Sequence, residues 1–161
     1  MKITPLVKGI IAGTVMVGIS IFLQYTGRAN SSAAQNLFYV LYGGAIAWTL
    51  LDYSRSENYN PSFGSIFGQG FRCFVIVTLI TVIFARVNAS MHPEEKAKAL
   101  KSYAEGLKKE GNRNEAEIQK MIESADKQFV TSQVYIAAFG TFIIGAAFTA
   151  AGAGLLLMRK K

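Results

Sequence analysis

The chain reads as water-soluble from His92 to Gln128 and as membrane-embedded on both sides of that stretch. Long apolar runs flank the polar one, and two more precede it. A soluble fold would have to bury all of them against one short charged segment. A bilayer accepts them directly, provided each closes its backbone hydrogen bonds as a helix. The expected fold is therefore all-α: an integral membrane protein with four transmembrane helices and a soluble helical hairpin between helices 3 and 4. The whole chain, 1–161, forms a single membrane domain, with approximate spans 6–25, 36–53, 68–89 and 134–158 and the hairpin over 92–128.

Local signals place the hairpin helices. Pro93 suits a first helical position, and Glu94 and Glu95 put negative charge beside the positive helix start. Ala97, Leu100, Ala104 and Leu107 recur at spacings of three and four with Tyr103 alongside, giving one apolar stripe. Lys108 and Lys109 complement the helix end, and Gly111 followed by Asn112 supplies a left-handed cap. Asn114 and Glu117 then have the form of a capping box, and Ile118, Met121, Ile122, Ala125 and Phe129 line one face of the next helix. Two helices with one narrow stripe each can satisfy each other as an antiparallel pair, although such a pair buries little unless it docks on something else.

The charge has an informative location. The net charge is +7, yet the segment from Val87 to Val130 holds eight basic and eight acidic residues and is neutral. All of the excess flanks the apolar runs, a pattern of membrane orientation rather than of nucleic-acid binding. The single cysteine, Cys73, excludes an internal disulfide and a multi-cysteine metal site.

Each span carries its own cues. Gly9 to Leu23 has no charge, and extended through Leu6 and Val7, with Lys8 snorkelling outward, it approaches the roughly 20 residues a crossing needs. Gly9 and Gly13 form a GxxxG spacing, continued by Thr14 and Gly18, which serves either ordinary helix packing or a dimer; small-residue faces of this kind suggest a homo-oligomer. Lys2 and Lys8 before an apolar run, with Ser32-Ala33-Ala34 beyond it, also resemble a secretory signal. The polar stretch from Leu23 to Ala34 is long for one, and an uncleaved helix is the preferred reading. The second span, Leu37 to Tyr53, has small residues at Gly43, Gly44, Ala45 and Ala47 and ends at Asp52 and Arg55.

Between the second and third spans, Asn60 can cap, Pro61 can start a helix, and Phe63, Ile66, Phe67 and Phe71 follow at helical spacing. That predicts a short interfacial helix over 60–70, against which Gly64, Gly68 and Gly70 argue for a bend or a close helix contact. Arg72 and Arg86 bracket the third span with about 21 Å between their backbones. Both must reach out of a hydrocarbon layer of roughly 30 Å or find partners, Asp52 or lipid phosphate for Arg72. The fourth span has a ridge of Ala146, Ala150 and Gly154 and is stopped by Arg159, Lys160 and Lys161. Four spans put both termini on one side. The basic flanks place them in the cytoplasm, with Arg28, Arg86 and the hairpin outside, although the eight basic residues of the hairpin count against that orientation.

The order of segments, with Asn58-Tyr59-Asn60, the run Phe63-Gly64-Ser65-Ile66-Phe67-Gly68-Gln69-Gly70-Phe71 and the opening His92-Pro93-Glu94-Glu95, resembles the domain of unknown function 4199 family of bacterial membrane proteins. The resemblance covers nearly the whole chain. It implies a multi-pass protein of the inner membrane of a Gram-negative cell, since the family is typical of Bacteroidota. It carries no catalytic residues with it.

The chain contains no GxSxG, HExxH or CxxC motif and only one histidine. His92 beside Glu94 lacks further ligands for a metal, Cys73 reads as a small apolar packing residue, and Trp48 as a packing or lipid contact. The expectation is no enzyme, with no catalytic, cofactor-binding or metal-ligating residues and no cofactor. Two function classes follow: a non-catalytic membrane scaffold or partner-binding protein acting through the hairpin, or a subunit of an oligomeric small-solute carrier or channel built around the Gly64 to Gly70 bend.

Overall fold

A computed structural model describes residues 3–28, 31–111 and 114–159. Five helices are found among the described residues: α1 (Pro5–Tyr25), α2 (Ser32–Ser54), α3 (Phe63–Met91), α4 (Pro93–Glu110) and α5 (Glu115–Met158). They form two compact units, one of residues 1–81 with 138–161 and one of residues 82–137.

Small polar residues set the helix starts. Thr4 accepts from the Val7 amide ahead of Pro5, and Ser31 accepts from the Ala34 amide at 3.2 Å, so each start satisfies an amide that the helix itself cannot. Ser62 does the same for Ser65 at 3.3 Å, so α3 opens at Phe63. The separate interfacial helix expected over 60–70 is not a separate element: residues from 63 onward are the first turns of α3. Gly64 and Gly68 face open space, whereas Gly70 meets Thr149 of α5, where a methyl group would come within 2.5 Å of the threonine side chain. A close helix contact, the competing account, explains that glycine.

Among the described residues three helices, α1, α3 and α5, are long and apolar enough to cross a membrane, rather than the four expected. The span expected over 36–53 is present as α2, with ample length. Its apolar run is diluted by Gln35 and Asn36 at one end, Asp52 at the other, and Tyr39, Tyr42, Trp48 and Thr49 between. The second hairpin helix and the span expected over 134–158 are also one element, the 44-residue α5. No glycine or proline interrupts Gln128 to Val134, so nothing there stops the helix.

In the first unit the core is a column of Tyr42, Ile46 and Leu50 from α2, Ile66, Phe74 and Val77 from α3, Met16 from α1 and Ala153 from α5. The α2 members recur every four residues and so share one face. Missing side chains let the helices close. Gly9 lies against the Cys73 carbonyl and Ile76 of α3, Gly13 against Ile80, and Gly145 of α5 against Tyr42 and Phe74. The GxxxG pair therefore serves packing within the chain. Gly18, of the following Thr14 and Gly18 pair, meets nothing within 4 Å. Phe67, Phe71, Phe74 and Phe142 add a run of edge-on and stacked rings, with Phe71 and Phe74 centred 5.1 Å apart.

In the second unit α4 has Pro93 in its first turn and ends on Gly111 at φ 68°, the left-handed position a Cβ would strain. The box at the start of α5 closes in both directions. The Glu117 amide donates to Asn114 Oδ1 at 2.8 Å, and the Asn114 amide donates to Glu117 Oε2 at 3.2 Å. Leu107 of α4 and Ile118 of α5 are buried, and Lys96 meets Asp126 at 2.9 Å.

Candidate functional site

Lys8 departs furthest from the sequence expectation. It does not snorkel. Its side chain is 2% exposed, and its ammonium donates to Asp52 Oδ2 at 2.5 Å while lying 4.9 Å from the centre of the Trp48 ring. Trp48 and Asp52 are one turn apart on α2, so a single face of that helix offers a carboxylate and a π-face to one cation. Gly9, the next residue along α1, draws that turn against Cys73 and Ile76 of α3. Asp52 is 48% exposed, so the pair is buried on its cationic side only. A buried ammonium is costly without a partner, in protein or in lipid, and such a group marks a functional position by default.

Further polar groups continue along the interior of this unit. Thr49, Cys73 and Thr149 are fully enclosed, and Thr78 is nearly so. Thr49 donates to the Ala45 carbonyl at 2.9 Å, a bond within its own helix. Tyr42 donates to the Thr141 carbonyl of α5 at 3.0 Å, tying α2 to α5. The hydroxyl of Thr149 meets no hydrogen-bond partner among the described residues. The exterior of the same unit is apolar, with Phe22, Val40, Ile143 and Leu155 all exposed. Polar groups inside and large apolar groups outside are the arrangement a lipid solvent selects.

Cys73 is buried, and among the described residues no group of three His, Cys, Asp or Glu is placed to hold a metal ion. His92 stands at the start of α4 with Nδ1 3.1 Å from the Asn88 carbonyl and makes no side-chain cap, while Glu94 occupies the first turn beyond it.

The second unit contributes a groove of about 410 Å³ lined chiefly by Ala99, Leu100, Tyr103, Met121, Ala125 and Phe129. These belong to the apolar stripes read from the sequence. Leu107 and Ile118 are buried, whereas Tyr103 is exposed. The stripes therefore cover each other only in part. The groove offers an aromatic, a thioether and aliphatic groups at once, a combination common in protein recognition.

An all-helical chain with three helices of membrane-crossing length and apolarity, and a lysine buried against a carboxylate, belongs with membrane-associated helical proteins. Residues 8–159 match the family model described as protein of unknown function DUF4199, and the chain belongs to that family. No curated protein and no solved structure matches it.

Proposed function

We propose that the protein is a non-catalytic scaffold of the bacterial inner membrane that holds a partner protein on its charged helical hairpin, residues 92–128. The observation that carries this reading is the half-covered apolar groove around Tyr103, Met121 and Phe129 in a segment whose charges balance. Helices that leave part of their apolar stripes open gain stability from a partner that covers them. In this reading α2 crosses the bilayer with the other three helices, because two of the residues that lower its apolarity are satisfied inside and a third is paired. Tyr42 and Thr49 are buried and bonded, and Asp52 holds Lys8. Both termini then lie in the cytoplasm and the hairpin in the periplasm, in keeping with the basic flanks. The test is recovery of co-purifying proteins with Tyr103→Ser/Met121→Ser against the parent, at equal helix content. Loss of a specific partner is expected; identical recovery overturns the reading.

A second reading, a subunit of an oligomeric solute carrier or channel, is favoured by the enclosed Lys8 and the unpartnered Thr149 hydroxyl, since ionisable and polar groups inside a membrane bundle line solute routes. It predicts solute flux in reconstituted vesicles that Lys8→Met abolishes. Flux that is absent, or unchanged by that substitution, removes it.

A further inference from the structure

The C-terminal ends of α2 and α5 share a concavity of about 280 Å³ lined by Leu51, Ser54, Arg55, Tyr59, Leu156 and Arg159. Arg55 caps α2, and Arg159 directly follows the last residue of α5. One turn inside this floor, Gly152 lets the α2 side chain Leu50 approach where a methyl group would come within 2.5 Å, so the two helix ends converge. Each guanidinium thus stands one turn beyond a leucine that lines the same hollow, Leu51 before Arg55 and Leu156 before Arg159. Neither arginine is in an ion pair among the described residues, and the nearby carboxylate of Asp52 is engaged by Lys8. Exposed Leu51, Leu155 and Met158 carry the apolar surface up to the rim.

We propose that this hollow is a binding site for the phosphate headgroup of an anionic membrane phospholipid. Two planar donor forks converge on one anion, and the leucines receive the first carbons of the acyl chains. A lone flanking arginine attracts headgroups in general. Two arginines held in one concavity by converging helices instead select a lipid that carries net negative charge and stays bound. The commitment to a lipid, rather than free phosphate, comes from the ordering of groups, cationic at the rim and apolar one turn deeper. The inference rests on the membrane reading of the bundle and is independent of what the hairpin binds.

The experiment uses the full chain purified in neutral detergent and exposed to mixed micelles of phosphatidylglycerol and phosphatidylcholine, with retained lipid counted by native mass spectrometry. The parent is expected to retain phosphatidylglycerol in preference. Each of Arg55→Gln and Arg159→Gln should weaken that preference roughly fivefold, and the double variant should abolish it, while Arg86→Gln leaves it intact. Arg159→Glu, at the residue whose amide closes the last turn of α5 on the Leu155 carbonyl, reverses the local charge with little risk to folding and should also abolish it. An unchanged preference in the double variant or in Arg159→Glu overturns the proposal, as does equal loss in Arg86→Gln. Inorganic phosphate alone, added in excess, should not displace the lipid; displacement overturns the lipid assignment in favour of a free phosphate site. Failure of the membrane reading has a separate signature, recovery of the protein from cells in buffer without detergent.

Discussion

Removing the two partners of the buried ion pair one at a time should have very unequal effects. Lys8 is 2% exposed and Asp52 48% exposed, so the two charges differ in what they lose when left alone. Asp52→Leu strands an ammonium that has lost the one neutralising partner it meets among the described residues. Stranding a buried charge costs about 3–5 kcal/mol. The Trp48 ring offsets part of that, and the lower end, about 3 kcal/mol, is expected. Lys8→Met leaves a carboxylate that already reaches water. Its loss is that of a surface pair, about 1 kcal/mol or less, and methionine refills most of the volume vacated beside Ile11 and Val15. The double variant Lys8→Met/Asp52→Leu should therefore regain most of what Asp52→Leu loses, because an apolar pair replaces an ionic one. Reversible unfolding of the purified protein in mixed micelles of sodium dodecyl sulfate, read by helical circular dichroism, measures all four corners of the cycle. Equal losses for the two single variants, or a double variant no better than Asp52→Leu, would refute the reasoning and return Lys8 to the snorkelling position.

Three further perturbations probe other parts of the fold. Gly145→Ala places a methyl group against the Tyr42 hydroxyl and within 2.8 Å of Phe74, and should cost about 1–3 kcal/mol in the same unfolding assay, whereas Gly140→Ala, with nothing within 4 Å, should be neutral or slightly stabilising. Tyr42→Phe removes the bond to the Thr141 carbonyl and should cost about 0.6–1.5 kcal/mol, again by micelle unfolding; no change would mean that this bond does not tie α2 to α5. Asn114→Ala breaks the capping box and should cost about 1 kcal/mol locally, seen as faster amide exchange over the first turns of α5, with residues 138–158 unaffected.

What the sequence reveals here depends on how local the physics is. Pro93, Gly111 and the pair Asn114 and Glu117 act over three or four residues, and the structure uses them as read. The apolar runs of α1, α3 and α5 are equally plain, since membrane-crossing length and composition are properties of one segment. Joining the second hairpin helix to the last apolar run also follows from local propensity, through the absence of any breaker between Gln128 and Val134. α2 is harder to read, because Tyr42 and Asp52 count against it in composition and find their partners on other helices. Lys8 is the extreme case. A lysine two residues inside an apolar run reads as snorkelling unless one knows that α1 lies on α2 and that Gly9 presses it onto α3. The i, i+4 spacing of Trp48 and Asp52 was the available signal, but spacing alone does not say which cation comes to that face. The pairing of Arg55 with Arg159 in one hollow has the same origin, since more than a hundred residues separate them and only the convergence of two helix ends brings them together.

The account is tested most directly by three single cysteines in a Cys73→Ser background, at Thr26 between α1 and α2, at Ser56 between α2 and α3, and at Lys109 near the end of α4. Each is labelled in cells with a membrane-impermeant thiol reagent after the outer membrane has been permeabilised. The account predicts that Thr26→Cys and Lys109→Cys are labelled at once and that Ser56→Cys is labelled only when the inner membrane is broken. Lys109 protected with Ser56 labelled would reverse the orientation, Thr26 and Ser56 labelled alike would take α2 out of the bilayer, and Lys109 and Ser56 labelled alike would contradict a bundle that crosses the membrane and carries the hairpin beyond it.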